Sequence, residues 1–260
     1  MPELPEVETI VRALAVRLQG ATVGSATYWP SRVFRGVTPP ALDGAFVKEV
    51  RRHGKYVLIE LNRGYLAIHL GMTGKLLFDV PDSKYTRAKW LFDGVLLSLE
   101  DIRQFGRVIW GEEIPEGLRL LGPDPLEISL QEFVNRAWSH RTGIKPLLLT
   151  QTFVRGLGNI YVDELLFRAR VNPTRSSAGL SQKQLTHMWE EMRRLLEEAI
   201  GHGGSSISDY VDTSGRKGSF QREHRVYGRG GEPCLVCGSP IQKIFLAQRG
   251  THFCPVCQNL

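Results

Sequence analysis

Cysteine is absent from residues 1–233 of this 260-residue chain, and all four copies lie in the last 27 positions. That distribution excludes a disulfide framework for the bulk of the molecule. Long apolar runs are missing as well: no stretch approaches the roughly 18 consecutive apolar residues that a membrane span needs. The N-terminus lacks the lysines and apolar core of a signal peptide and carries Glu3, Glu6 and Glu8 in their place. A cytoplasmic protein with no membrane association is expected. A large excess of either charge is also lacking, since 33 Lys and Arg face 27 Asp and Glu. The remaining net charge of +6 and the pI near 9.2 favour a polyanionic partner, with nucleic acid the usual one. The length suffices for one large domain, or for two ordinary ones and a small module.

The cysteines that are present form two pairs, Cys234-Leu-Val-Cys237 and Cys254-Pro-Val-Cys257, with 16 residues between them. Paired CxxC elements at this separation supply four thiolates in a tetrahedral array for one structural Zn²⁺, a closed site with every position filled by sulfur. Two disulfides are the competing reading, disfavoured in a reducing compartment. His252 adjoins the second pair and is read as a non-ligand, because four sulfurs already satisfy the metal.

Apolar spacing divides the rest. Residues 5–19 place Val7, Ile10, Val11, Leu14 and Leu18 on one helical face, with Glu6 and Glu8 in the first turn, where the helix dipole favours carboxylates. Short β-type runs follow at 47–50, 56–61, 65–69, 75–80, 89–92, 95–99 and 107–110, separated by turn signals such as Asp93-Gly94. They predict a sandwich or a barrel. Pro115, Gly117, Gly122 and Pro123 mark a linker. Helical periodicity then predicts helices over 129–138, 144–149, 159–169 and 181–201, the last capped by Ser181. Residues 203–223, rich in Gly, Ser and charge, read as a mobile loop ahead of the cysteine module.

Pro2 is the candidate nucleophile. With Met1 removed, the chain begins on a secondary amine beside Glu3. An α-amino group titrates at roughly 7.7–8.0 and is partly unprotonated at neutral pH, and a secondary amine that attacks a sugar carbon can then hold the positive charge as an iminium. Taken alone, the favoured reading is that Pro2 and Pro5 only start a helix.

Five ordered motifs carry a resemblance along the whole chain: Pro2-Glu3-Leu4-Pro5-Glu6-Val7-Glu8, His69-Leu-Gly-Met-Thr-Gly74, Asp101-Ile-Arg-Gln-Phe-Gly106, Gly156-Leu-Gly-Asn-Ile-Tyr161, and Val226-Tyr-Gly-Arg229 leading into the cysteines. The chain resembles the bacterial formamidopyrimidine-DNA glycosylases and, more broadly, their endonuclease VIII relatives. The resemblance implies an α+β multidomain fold: an N-terminal helix and β-sandwich catalytic domain over 1–115, a linker over 116–128, a helix-two-turns-helix domain with a mobile lesion-capping loop over 129–224, and a zinc ribbon over 225–260. It further implies a monomer that excises oxidised purines (8-oxoguanine and formamidopyrimidines) from double-stranded DNA and cuts at abasic sites, after the damaged nucleotide is rotated out of the stack.

By that resemblance Pro2 attacks C1′, Glu3 assists ring opening and proton transfer, Lys55 contacts the lesion's phosphate or base region, and Glu6 positions the N-terminus. Met72, Arg103 and Phe105 match the trio that fills the vacated gap and probes the widowed base. Asn159, Lys145 and Arg249 match phosphate contacts. Thr150 departs from the pattern, standing where relatives commonly have aspartate. Two alternatives remain: an endonuclease VIII-like preference for oxidised pyrimidines, against which Leu4 and the complete trio argue, and a non-catalytic damaged-DNA-binding protein, whose signature would be loss of Pro2 or Glu3.

Overall fold

A computed structural model describes residues 1–35 and 37–259. These fall into two compact units, 1–120 with 200–221, and 121–199 with 222–260.

The first unit opens with helix α1 (Leu4–Leu18), which has Pro5 in its first turn and buries Val7, Ile10, Val11, Leu14 and Leu18 along one face. Eight strands follow: β1 (Val23–Tyr28), β2 (Val47–His53), β3 (Tyr56–Leu61), β4 (Gly64–His69), β5 (Gly74–Phe78), β6 (Thr86–Phe92), β7 (Val95–Asp101) and β8 (Arg107–Gly111). They form two antiparallel four-stranded sheets, ordered β1-β6-β7-β5 and β2-β3-β4-β8, which settles the choice between sandwich and barrel in favour of the sandwich. Inward residues such as Ile59, Leu66, Ile68, Trp90, Phe92 and Leu97 form one apolar cluster with the buried stripe of α1. Tight turns set the registers. Leu61 pairs with Gly64 across Asn62-Arg63, and Phe92 with Val95 across Asp93-Gly94, whose positive φ values of 42° and 86° suit a two-residue hairpin.

Two stretches read from sequence as connectors are partly built into this unit. The expected linker holds a short helix α2 (Glu116–Arg119), whose Leu118 packs on Leu58 and Ala67 and covers the outer face of β3 and β4. The expected mobile loop is fastened at several points. Tyr210 enters the apolar cluster, and the Phe78 N–H donates to the Thr213 carbonyl at 3.0 Å.

In the second unit lie helices α3 (Leu130–Trp138), α4 (Ile144–Leu149), α5 (Asn159–Arg168) and α6 (Gln182–Gly201), then the hairpin β9 (Gln242–Leu246) and β10 (Arg249–Phe253). The helices start where capping chemistry places them. The Ser129 hydroxyl accepts from the Glu132 N–H at 3.2 Å, while Ser181 and Gln184 cap reciprocally, at 3.3 Å and 3.0 Å. α6 buries Leu185, Met188, Met192, Leu195 and Leu196 at helical spacing.

Candidate functional site

Pro2 sits directly before Glu3, the N-cap of α1, and both are buried. The Glu6 carboxylate, 1 % exposed, accepts from the Glu3 N–H at 2.7 Å through one oxygen and from the Ser205 N–H at 2.7 Å through the other. One carboxylate therefore fixes both the N-terminal turn and the start of the 203–223 segment. Gly204 makes this approach possible: its φ is +77°, and a Cβ there would lie 2.6 Å from the Glu6 Oε1. The Tyr210 hydroxyl adds a 3.3 Å bond to the Glu6 carbonyl. Burial, and next the Glu6 charge, push its pKa up, so the phenol stays a donor.

Lys55 occupies the two-residue turn between β2 and β3, and Tyr56 faces His69 at 4.9 Å between ring centroids. His69 escaped the assignment of roles from sequence, although its motif was recognised. Burial first, and the charges of Lys55, Arg107 and the chain's N-terminal ammonium after it, draw its pKa down to about 4. The ring is thus neutral at pH 7, and its Nδ1 accepts from the Gly71 N–H at 3.1 Å, which leaves the proton on Nε2. His69 is an uncharged donor among cations.

Met72, Arg103 and Phe105, from two loops at the end of the sandwich, are brought together. The Arg103 guanidinium lies 4.5 Å from the Phe105 ring centroid and 3.5 Å from the Met72 sulfur. All three are exposed, Met72 at 42 % and Phe105 at 49 %, so they are not core residues. Asp101, fully buried, holds the two loops together. It accepts from the Thr73 hydroxyl at 2.5 Å and the Gly106 N–H at 2.8 Å, and Thr73 in turn accepts from the Arg103 N–H at 3.1 Å. Gly71 lets the loops meet: its φ is +60°, and a Cβ would stand 2.5 Å from the Phe105 carbonyl carbon.

In the second unit Gln151 shapes the turn ahead of α5. Its amide donates to the Leu149 and Leu157 carbonyls and accepts from the Gly156 N–H, at 2.9–3.0 Å. Thr150 bonds to the Pro146 carbonyl at 3.0 Å and closes α4. Asn159 starts α5, and its amide donates to the Gly250 carbonyl at 2.8 Å.

Lys145 lies inside the second unit. Expected as a phosphate contact, it is 0 % exposed, and its ammonium donates to Asp163 at 2.5 Å and to the Gly250 carbonyl at 3.2 Å. Its charge is already matched by a buried carboxylate, so it positions the ribbon hairpin from within. Asp163 also accepts from the His252 N–H at 2.9 Å and approaches its ring at 3.2 Å. This accounts for His252 without metal ligation. The adjacent Glu164 gathers the N–H groups of Arg225, Val226 and Tyr227 at 2.8–3.0 Å. Its carboxyl is raised by burial, against the lowering effect of those bonds. Sequence reasoning missed both anchors; the available signal was an Asp-Glu pair inside the apolar run Ile160-Tyr-Val-Asp-Glu-Leu-Leu-Phe167.

Arg249 is exposed at the start of β10, just after Ala247 and Gln248, whose φ values of 48° and 58° make the tight turn of the hairpin. The four cysteine sulfurs all lie within 4.8 Å of one another, with Cys234 to Cys257 at 3.9 Å and Cys237 to Cys254 at 3.4 Å. Tetrahedral Zn–S bonds of about 2.3 Å place sulfurs about 3.8 Å apart, so the cluster fits the ion. Backbone N–H groups of Val236 and Cys257 point at two of the sulfurs, each at 3.4 Å, and stabilise thiolate charge. These four residues are the ligand set for one structural Zn²⁺.

A sandwich that holds Pro2 at the start of its first helix and gathers the exposed Met72, Arg103 and Phe105 at one end, with a helical unit that carries a tetrathiolate ribbon, defines a zinc-ribbon DNA glycosylase. Family models match in the same order: the formamidopyrimidine-DNA glycosylase N-terminal domain over residues 1–108, its H2TH domain over 121–211, and the zinc finger found in FPG and IleRS over 231–260. The chain belongs to the formamidopyrimidine-DNA glycosylase family. It is 46 % identical to the formamidopyrimidine-DNA glycosylase of Solibacter usitatus over all of both chains. Among solved structures it is similar to the MutM (Fpg) protein of Thermus thermophilus, with a TM-score of 0.88 and 38 % identity over 99 % of this chain and 98 % of that one. A Lactococcus lactis FPG mutant in complex with Fapy-dG-containing DNA superposes with a TM-score of 0.85 and 36 % identity over all of both chains.

Proposed function

We propose that this enzyme is a bifunctional glycosylase and abasic-site lyase that removes oxidised purines from duplex DNA, acting as a cytoplasmic monomer through the amine of Pro2. The reading needs Met1 gone, because an acylated proline nitrogen has no lone pair to give. The freed amine attacks C1′ of an everted nucleotide, the glycosidic bond breaks, and the base leaves with its electron pair. Glu3, next to the nucleophile, supplies the carboxyl for opening the deoxyribose ring and for proton transfers. The iminium between Pro2 and C1′ acidifies the C2′ hydrogen. Loss of that proton expels the 3′ phosphate, a second elimination expels the 5′ phosphate, and water releases the sugar remnant from Pro2.

Meanwhile Met72, Arg103 and Phe105 fill the gap, and the planar Arg103 fork donates to an acceptor edge of the widowed base, which favours cytosine. Lys55 and His69 offer a cation and a neutral N–H to the phosphate or base beside the lesion. Arg249 and the N-terminus of α5 at Asn159 bind flanking phosphates. The ribbon zinc, when bound, folds its knuckles and takes no part in the chemistry.

The observation that carries this reading is the mounting of Pro2: Glu3 and Glu6 are buried, and one Glu6 carboxylate holds the turn from both sides. Borohydride should trap a covalent adduct between the Met1-free enzyme and an 8-oxoguanine·cytosine duplex. Absence of trapping with a preparation shown by intact mass to lack Met1 would sink the proposal. Faster cleavage of oxidised pyrimidines in a side-by-side assay would favour the endonuclease VIII-like alternative.

A further inference from the structure

We propose that a pocket between the 3₁₀ turn Arg32–Phe34 and strand β8 seats a phosphodiester group of the DNA, held by Arg35 and Arg107, beside the wedge. The pocket has a volume of about 560 Å³; Phe34, Val37, Ile109 and Trp110 provide its walls, and Arg35 and Arg107 supply its charge. β8 is the last strand of its sheet, so the pocket opens along an edge that no further strand covers.

Among the described residues neither guanidinium has a carboxylate within 4 Å, whereas Arg12, Arg17, Arg52, Arg119 and Arg168 all do. Two unneutralised arginine forks on an apolar floor suit an anion that accepts bidentate bonds, and phosphate oxygens have that geometry. The charge of Arg107 is felt locally, since it helps to lower the pKa of His69, its cross-strand partner.

The location identifies the phosphate's source. Arg107 follows Phe105 by two residues. On the other wall, the Gln104 side-chain oxygen accepts from the Ser31 hydroxyl at 3.1 Å and from the Arg32 N–H at 3.0 Å. Gln104 adopts a φ of 55°, and its neighbours Arg103 and Phe105 belong to the wedge. The turn leading to Arg35 is therefore tied to the loop that enters the duplex, and the anion within reach when the wedge is inserted is the DNA backbone.

The proposal rests on the reading of the chain as a DNA glycosylase, and salt titration of binding tests it separately from catalysis. Affinities of the zinc-loaded full-length protein, R35Q, R107Q and the double variant would be measured by fluorescence anisotropy. The probes are undamaged duplex and duplex with a tetrahydrofuran abasic analogue, between 50 and 200 mM salt. Each single variant is expected to weaken binding to the abasic-analogue duplex, where the wedge is inserted, about 3- to 10-fold and to lower the slope of log K against log salt by about 0.9, the signature of one lost phosphate contact. Both positions are on the surface, and circular dichroism melts would confirm folding. Unchanged slopes for both variants would overturn the seat, as would a loss confined to the undamaged duplex. A methylphosphonate scan supplies the second arm: one backbone position should weaken the wild type and leave R107Q unaffected, and equal sensitivity of both proteins at every position would also refute the proposal. Failure of the catalytic reading would look different, as absent borohydride trapping with the salt slopes intact.

Discussion

The two units hold functional side chains on loops with unequal resources. In the sandwich unit the N-terminal turn and the loops bearing Met72, Arg103 and Phe105 rest on a broad apolar cluster contributed by α1 and both sheets, and the buried carboxylates of Glu6 and Asp101 orient what that core already supports. Around the ribbon cysteines, among the described residues, the apolar cluster is Phe167 of α5 with Val226, Cys234, Ile241 and Cys254, and Cys257 packs against it. Such a cluster is too small to order a hairpin by itself, so the hairpin leans on Asp163, Glu164 and the metal. A buried carboxylate refines geometry in one unit and substitutes for a core in the other.

The metal gives the largest test of that contrast. Chelation, or Cys237→Ser, should unfold the ribbon and abolish tight DNA binding, because structural zinc sites are worth about 10–16 kcal/mol in small peptides. Hydrogen exchange should then show loss of protection over residues 225–259 with the sandwich intact; equal loss in both units would end the comparison. Pro2→Gly lies at the opposite extreme. It should lower base excision by about 10⁴-fold or more, in the manner of nucleophile deletions, and leave affinity for abasic-analogue DNA within a few-fold, as binding titrations would show.

Smaller effects separate the anchors. Asp163→Ala leaves Lys145 buried without its carboxylate and should destabilise the second unit by about 3–5 kcal/mol. Asp101→Ala strips bonds from a neutral hydroxyl and an N–H and should cost about 1–3 kcal/mol, with weakened opposite-base discrimination. Urea unfolding followed by unit-specific probes would rank them, and a reversed order would contradict the proposed division of labour.

Near neutral pH the effect of protonation is the smallest. His69 in one unit and His224 in the other are both drawn down to about 4, chiefly by burial. The unfolded chain, titrating near 6.5, then binds more protons between those values. Stability contributed by the neutral rings is complete above about pH 6.5 and is lost as pH falls towards 4. NMR titration of the imidazole C–H signals should show both rings neutral at pH 6; a midpoint near 6.5 for either would remove its share.

Much of this was legible in the sequence where the signal is local. The period of α1, the Asp93-Gly94 turn, the Ser181 cap and the paired CxxC spacing each act within a few residues. Strand β1 escaped because Val23 is its only fully buried residue, in a run of Gly, Ser, Ala and Thr. The pairing of Lys145 with Asp163 is not legible because the partner lies 18 residues away on another helix, and nothing in a sequence distinguishes a lysine that will find a buried carboxylate from one that stays in water. The reach of Glu6 to Ser205 spans 199 residues, and no motif encodes it. Chemistry-bearing residues were visible as types in a pattern, whereas the groups that orient them became visible only with the chain folded.

The hairpin tip at Ala247 and Gln248 has one further consequence. Two successive non-glycine residues in the left-handed region are conformations the free chain rarely visits, so the folding of the ribbon settles, before any ligand arrives, the direction in which the chain leaves the turn at Arg249. The ordering entropy of that loop is thus spent in folding, and Arg249 leaves the turn on a path already set.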